Sequence, residues 1–161
     1  MPRPLSAALA AALVLTAALA SACAGGSSGA GTPTTACKGS GTHTAYVVVQ
    51  HGDGKILNAC VKFSDAATNG DAVMTGSGIK VDTQSFSFGK AVCAIDSEPA
   101  HYDACFSQGA PYWGLWVEQK GGAWQQAQTS YDKVTVNDGD AIGWIYTPAT
   151  ASPAPPPAPK K

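Results

Sequence analysis

The two ends of the sequence constrain the fold most, because neither end has the composition of a packed core. Residues 1–22 are rich in Ala and Leu, residues 23–44 are mostly small and polar, and residues 148–161 are rich in Pro and Ala. Of the 161 residues, only residues 45–147, roughly one hundred, are left to form one folded domain. A domain of this size can hold a core and gains from cross-links.

The N-terminal stretch has the features of an export signal. Arg3 supplies one positive charge, and Leu5 to Ala20 is an unbroken apolar run that suits a signal peptide and is too short and weakly apolar for a membrane span. The run ends in Leu19-Ala20-Ser21-Ala22-Cys23, which resembles a lipobox, although Ala20 stands where a lipobox usually has Leu.

We therefore expect residues 1–22 to be a signal peptide and Cys23 to be diacylated. The partner at this end would be the lipid bilayer, with the protein anchored at the extracytoplasmic face of the cell membrane. Because Ala20 to Ala22 also satisfies ordinary A-x-A cleavage, plain secretion is the alternative.

The segments on either side of the domain are predicted to be unstructured. Residues 24–36 are Gly, Ser, Thr and Ala with almost no side chain to bury, so residues 23–44 are interpreted as a flexible tether. Residues 148–161, the Pro-rich segment, are predicted to be a disordered, extended polyproline-like tail that cannot join a sheet. Such a tail would be a spacer or would contact the cell wall.

Cysteine counting predicts two disulfides. Lipidation of Cys23 leaves an even set of four, which in an oxidising compartment allows three pairings. The preferred pairing joins Cys93 to Cys105 around a short polar loop and joins Cys37 to Cys60, which fastens the approach to the second strand.

Alternating apolar residues and turn signals predict a β-rich domain. Tyr46–Gln50 is β-branched, a Gly-rich turn follows, and residues 57–63 alternate like a half-buried strand. Further strands are expected near Phe86 and Phe88 and at 91–95, 112–119, 124–129, 133–136 and 141–146.

One helix is expected over Thr68 to Gly78, with Thr68 or Asn69 as its N-cap and Gly76 or Gly78 at its end. The resulting order, ββαβ followed by strands, predicts an α+β fold: a small β-grasp-like domain with a mixed sheet and one short helix. A β-sandwich has a similar strand density without the helix.

Several ordered motifs carry a resemblance to a known family. They are Gly52-Asp53-Gly54, Cys60-Val61-Lys62-Phe63, Val92-Cys93-Ala94-Ile95-Asp96, Tyr112-Trp113, and Asn137-Asp138-Gly139-Asp140 before a strand with Trp144. Together they resemble the bacterial extracytoplasmic domains that are similar to the C-terminal domain of transcobalamin and intrinsic factor. The resemblance implies a soluble-ligand-binding β-grasp fold, binding of cobalamin or a related corrinoid, and no catalysis. In the vitamin carriers this domain supplies half of the site, and an α-helical domain that this sequence lacks supplies the other half.

The aromatic residues of one strand are the most informative candidates for a binding surface. Alternation sends Trp113 to one face with Leu115 and Val117, and sends Tyr112, Gly114 and Trp116 to the other. Trp116 beside Gly114 could form an open platform for a planar ligand.

The family resemblance points to Trp113 instead of Trp116 as the ligand-contacting residue, and a bulge near Gly114 would reconcile the two assignments. Trp124 is a candidate for a third side of the same binding surface. We therefore take Tyr112, Trp113, Trp116 and Trp124 as candidate ligand-binding residues, with packing in the core as the alternative role.

Other classes of function are not supported by the sequence. After removal of Arg3 with the signal, nine scattered lysines face eleven acidic residues, which argues against nucleic acid as a partner. No catalytic constellation is recognisable, so we expect a non-enzyme without a cofactor. The loop Asp96 to Asp103 contains acidic residues and His101, but its spacing fits no standard metal site, so no metal is expected.

Two functions remain. The first is a lipid-anchored module that binds a corrinoid or another small planar ligand and hands it to a membrane importer. The second is a non-catalytic structural or protein-interaction domain, whose sheet edge or Pro-rich segment docks another envelope protein.

Overall fold

Short strands separated by turns make up most of the folded chain. The computed structural model describes residues 36–161. Its elements in chain order are β1 (Lys38–Gly39), β2 (His43–Gln50), β3 (Ile56–Phe63), β4 (Ala67–Asn69), α1 (Gly70–Ser77), β5 (Val81–Phe86), β6 (Gly89–Ile95), β7 (Tyr112–Glu118), β8 (Trp124–Gln126), a 3₁₀ turn (Tyr131–Lys133), β9 (Thr135–Asn137) and β10 (Ala141–Thr147).

The main sheet has six strands in the order β1-β3-β2-β10-β7-β8. β2 and β3 form the predicted antiparallel hairpin, and β10 is parallel to β2 and antiparallel to β7. The predicted α+β class, with a mixed sheet and one short helix in a single β-grasp-like domain, is confirmed.

The helix has the local signals that its sequence predicts. The Asn69 side chain accepts a hydrogen bond of 2.9 Å from the Ala72 N–H, which caps the first turn. Gly78 follows the last turn with φ of +70°, the left-handed conformation in which glycine has no Cβ penalty. Val73 and Met74 are buried on the side that packs on the sheet.

The sheet has two distinct faces. The inner face faces the helix, and its core residues include Val47, Val49, Trp113, Ile142 and Trp144. Strand alternation and the register place another set of residues on the opposite, outer face, among them Tyr46, Val48, Trp116, Glu118 and Gly143.

Two smaller strand pairs flank the sheet, β4 with β9 and β5 with β6. The structure differs from the sequence prediction here. β5 begins at Val81, well before Phe86, and the strand predicted over 133–136 is a 3₁₀ turn followed by β9. The strand predicted over 124–129 ends at Gln126.

Both preferred disulfides are present, Cys37 to Cys60 and Cys93 to Cys105. Cys60 lies in β3 and Cys93 in β6, so each bond ties a less regular segment to a strand. Two disulfides in one small domain indicate an extracytoplasmic location.

The Pro-rich segment is not a free tail. It lies along the outer face of the sheet, where Pro156 is buried and Lys161 approaches Glu118 of β7. The sequence analysis predicted a disordered spacer and did not predict this contact. A Pro-rich composition indicates an extended conformation, but it does not indicate which surface of the folded domain the segment packs against.

The predicted signal peptide, the lipidated Cys23 and most of the tether lie outside the described residues. Among residues 36–161, no helix is long and apolar enough to cross a membrane.

Candidate ligand-binding site

A cleft opens beside the β5–β6 hairpin on the inner side of the sheet. Its volume is about 510 Å³, within the range of roughly 300 to 1,000 Å³ that small-molecule sites occupy. The lining side chains come from four places: the hairpin, the loop between β6 and β7, strands β7 and β10, and the chain that follows β8. We call it the aromatic cleft, because six of its residues and near neighbours are aromatic: Phe86, Phe88, Phe106, Trp113, Tyr131 and Trp144.

Three exposed phenylalanines form the rim of the cleft. Phe86 and Phe88 stack with ring centroids 5.1 Å apart, and Phe106 lies 5.7 Å from Phe86 and 6.3 Å from Phe88. Phe88 is 55% exposed and Phe106 is 58% exposed. A contiguous exposed aromatic patch of this kind is typical of a binding surface.

Two structural devices hold the rim in place. The disulfide between Cys93 and Cys105 brings Phe106, the next residue, beside the hairpin. At the turn of the hairpin, Ser130 Oγ donates to the carbonyl oxygen of Phe88 at 3.1 Å, and the Lys90 N–H donates to Asp132 Oδ1 at 2.9 Å. The rim therefore rests on anchored backbone.

The floor of the cleft consists of Trp113, Tyr131 and Trp144, all of which are buried. Tyr131 and Trp144 contact edge to face with centroids 5.8 Å apart. Such pairs keep aromatic rings at fixed angles. The floor is therefore preformed, while the rim is open to solvent.

Few polar groups belong to the floor. Trp113 Nε1 donates to the carbonyl oxygen of Glu98 at 2.8 Å, so its hydrogen bond is already made. Trp144 Nε1 is buried and has no hydrogen-bond partner among the described residues. A buried donor without a partner costs about 1 to 3 kcal/mol.

The charges at the wall of the cleft compensate each other. Lys90 Nζ donates to Asp71 Oδ2 at 2.8 Å, and the Tyr131 hydroxyl donates to Asp71 Oδ1 at 2.7 Å. The hydrogen bonds from Lys90 and then Tyr131 lower the pKa of the Asp71 carboxyl. Burial, with the hydrogen bond to Asp71, raises the pKa of the Tyr131 phenol well above its usual range. The two ionisable side chains that line the cleft, Lys90 and Tyr131, are thus both engaged with Asp71, which favours an uncharged ligand.

A buried histidine positions the loop that leads to the rim. His51 Nδ1 lies 2.6 Å from Glu98 Oε2, and His51 is 7% exposed. Glu98 also accepts from the Gly52 N–H at 3.3 Å and, through its carbonyl oxygen, from Trp113. Glu98 therefore connects the β2–β3 turn, the disulfide-closed loop and the floor of the cleft.

The structure separates the four predicted ligand-binding residues. Trp113 lines the cleft, whereas Tyr112 and Trp116 lie on the outer face. Trp124 pairs with Glu118 and lies on the outer face as well. No bulge near Gly114 reconciles the two assignments, because the register between β7 and β10 is regular from Tyr112 to Glu118.

Trp116 is not an open platform, since it is only 9% exposed. Its Nε1 lies 3.7 Å from the position that a Cβ on Gly114 would take, so its indole does lie beside the bare glycine as the sequence suggested. The Pro-rich segment, which the sequence placed away from the domain, runs over this face and accounts for the difference.

Sequence reasoning missed the rim and most of the floor. Phe86 and Phe88 alternate with serines. This pattern predicted a strand, but it did not predict which residues lie next to the two phenylalanines in the fold. Phe106 directly follows Cys105, so the preferred disulfide could have placed it beside β6. No comparable signal pointed to Tyr131 or Trp144.

No metal centre is evident in residues 36–161, where no three His, Cys, Asp or Glu side chains are grouped so that they could hold an ion. In the loop that carries His101, the imidazole Nε2 lies 3.3 Å from Asp103 Oδ1, and both side chains are largely exposed.

No family model matches the chain, and no curated protein matches it. Among solved structures, the chain is similar to a crystal structure from Ruminococcus gnavus described as a "putative metal binding protein". The identity is 23%, the match covers 66% of this chain and 98% of that one, and the TM-score is 0.49. A likeness at this level assigns neither a ligand nor a residue role here, and none of these results identifies a transcobalamin-like family or a lipoprotein.

Proposed function

We propose that this chain is a non-catalytic extracytoplasmic binding module that takes an uncharged, planar and largely apolar small molecule in the aromatic cleft. The module would be held at the membrane through Cys23 and would pass its ligand to a membrane importer. The observation that carries the proposal is the preformed floor of Trp113, Tyr131 and Trp144 below an exposed rim of phenylalanines.

The chemistry of the cleft supports this class of ligand. Aromatic rings on the floor and rim offer flat faces for stacking. The only ionisable lining residues, Lys90 and Tyr131, are both engaged with Asp71.

A corrinoid, which is more polar than this class, is a separate candidate that rests on the family resemblance. The macrocycle is larger than the cleft of about 510 Å³, so only one edge of it would enter, with the remainder resting on the rim. Smaller planar molecules would fit entirely.

The test is a titration of the soluble domain with cobalamin, cobinamide, haem and several unrelated planar compounds. Binding is followed by calorimetry and by tryptophan fluorescence corrected for inner-filter absorption. For a ligand that binds, the double variant Phe88→Ala, Phe106→Ala should raise the Kd about tenfold or more, since each aromatic contact contributes about 0.5 to 1.5 kcal/mol.

A matched control is Ile56→Ala. Ile56 is another exposed large apolar residue, at 46% exposure, and it lies on β3 away from the cleft. It should leave the Kd unchanged. Equal loss in both variants, or no binding by any planar compound, would contradict the proposal. The exposed phenylalanine patch would then favour the second candidate, an interaction domain that docks another envelope protein.

A further inference from the structure

The Pro-rich segment of the same chain covers part of the outer face of the sheet. The Pro-rich segment follows β10 directly, turns back through a hydrogen bond of 2.9 Å from the Ala151 N–H to the Pro148 carbonyl, and lies over the strands of the main sheet. We propose that this face is a binding groove for an extended proline-rich peptide, and that residues 148–161 are its resident occupant. The aromatic cleft lies on the opposite face, so this proposal is independent of the proposed function.

The centre of the groove is a shallow seat for a proline. Gly143, in the middle of β10, has no side chain, and a Cβ added there would overlap Pro156 Cγ. The same Cβ would lie 2.9 Å from Trp124 Cη2, so the indole of Trp124 lies beside the proline over the bare strand. Pro156 is buried, whereas the preceding residues 148–155 are exposed.

The far end of the groove selects a cation. Lys161 Nζ donates to Glu118 Oε1 at 2.9 Å and lies 5.6 Å from the centroid of the Tyr46 ring. Glu118 is 5% exposed, and Lys161 is the only side-chain partner of its carboxylate among the described residues. A buried carboxylate needs such a partner. Nearby, the Lys160 N–H donates to Asn58 Oδ1 at 3.4 Å.

The tryptophans on this face also suit an extended peptide. The indole of Trp124 lies beside Pro156 over Gly143 and offers it a flat apolar surface. Neither Nε1 of Trp116 nor Nε1 of Trp124 has a hydrogen-bond partner among the described residues, so the resident segment is held here by packing. Aromatic grooves that bind proline-rich chains use this preformed, low-entropy conformation.

The occupant is separable from the fold. Residues 148–161 form no strand and contribute no residue to the hydrophobic core cluster. A proline-rich peptide from another molecule, with a lysine about five residues after the seated proline, has the chemistry to replace them. It must compete with a tethered segment whose effective concentration is about millimolar.

The test uses the mature chain carrying Cys23→Ser and a fluorescently labelled peptide with the sequence of residues 148–161. In an opened variant, Pro156→Asp with Lys161→Glu, the resident segment should leave the groove. Tryptophan emission should then shift to the red, and the peptide should bind at least tenfold more tightly than it does to the chain without these two changes. Adding Glu118→Gln to the opened variant should weaken peptide binding several-fold.

A peptide with serine in place of every proline is the matched control, and it should not bind. An opened variant whose tryptophans become exposed but which does not bind the peptide would overturn the proposal. Unchanged tryptophan emission would overturn it as well, because the segment would then not cover the groove. Loss of a cooperative thermal transition in the opened variant would show that the segment is part of the core, which also contradicts the proposal.

Discussion

Trp113 and Trp116 lie three residues apart on β7 and face opposite sides of the sheet. Trp113 belongs to the core and the cleft, and its Nε1 donates to Glu98 at 2.8 Å. Trp116 lies on the outer face opposite Gly143 of β10, the residue over which Pro156 lies. Two residues of the same type on one strand thus serve two separate surfaces, and their substitutions should have different effects.

Trp113→Ala should lower the free energy of unfolding by about 3 to 5 kcal/mol, because it removes a large buried ring and leaves a cavity. Trp116→Ala should cost less, roughly 1 to 2 kcal/mol, because its cover is a peripheral segment. Chemical denaturation of both variants measures the difference. Equal and severe losses would place Trp116 in the same cooperative core as Trp113.

The bond between Cys93 and Cys105 should be required for both stability and the cleft. Replacing both cysteines with Ser should cost about 3 kcal/mol, as expected for a short closed loop. It should also weaken binding of any cleft ligand, because Phe106 loses its anchor beside the hairpin. Denaturation and the ligand titration measure the two effects.

Peptide mapping without reductant gives an independent check of the cysteine pairing. It should recover both disulfides and no free thiol among Cys37, Cys60, Cys93 and Cys105. A peptide that joins Cys60 to Cys93 would refute the pairing.

Asp71 should contribute to stability in a pH-dependent manner. Because its folded pKa lies below the ordinary value of 3.8, its contribution is present above that value and is lost as the pH falls through the folded pKa. The stability difference between the chain and its Asp71→Asn variant should therefore be constant near neutral pH and shrink below about pH 4. Thermal melts across this range test it, with the exposed Asp65→Asn as the control; a difference that grows on acidification would contradict the assignment.

Cys23 should hold the mature protein at the membrane, because a diacylated N-terminus provides two buried chains and so anchors stably. Cys23→Ser should move the protein to the soluble fraction. Fractionation followed by a high-salt wash measures this. Membrane association of the Cys23→Ser protein after the wash would exclude lipid anchoring through this residue.

Local signals in the sequence predicted local structure well. The turn residues after Gln50 predicted the β2–β3 hairpin, and Asn69 and Gly78 predicted the two ends of the helix. Alternation in β7 assigned the faces of Trp113 and Trp116 correctly. Each of these features depends on residues close together in the chain.

Features that depend on distant residues were not predictable in the same way. The start of β5 was missed because residues 81–86 are mostly polar and exposed, so no apolar alternation marks them. The cleft arises where Trp144, Phe88 and Phe106 meet from three separate parts of the chain. The position of the Pro-rich segment depends on Gly143, because the missing side chain leaves room for Pro156. The sequence alone does not show which residues pack against this glycine.

The position of β10 sets the order in which the domain can fold. β10 lies between β2 and β7 and is the last strand in the chain, so without it the sheet is divided into two unconnected parts. Its pairing partner in β2 is about one hundred residues earlier, for example Tyr46 opposite Ala141. Pairing over such a separation is slow. A chain that emerges from a ribosome with its N-terminus first therefore cannot close the sheet until residues 141–147 have emerged.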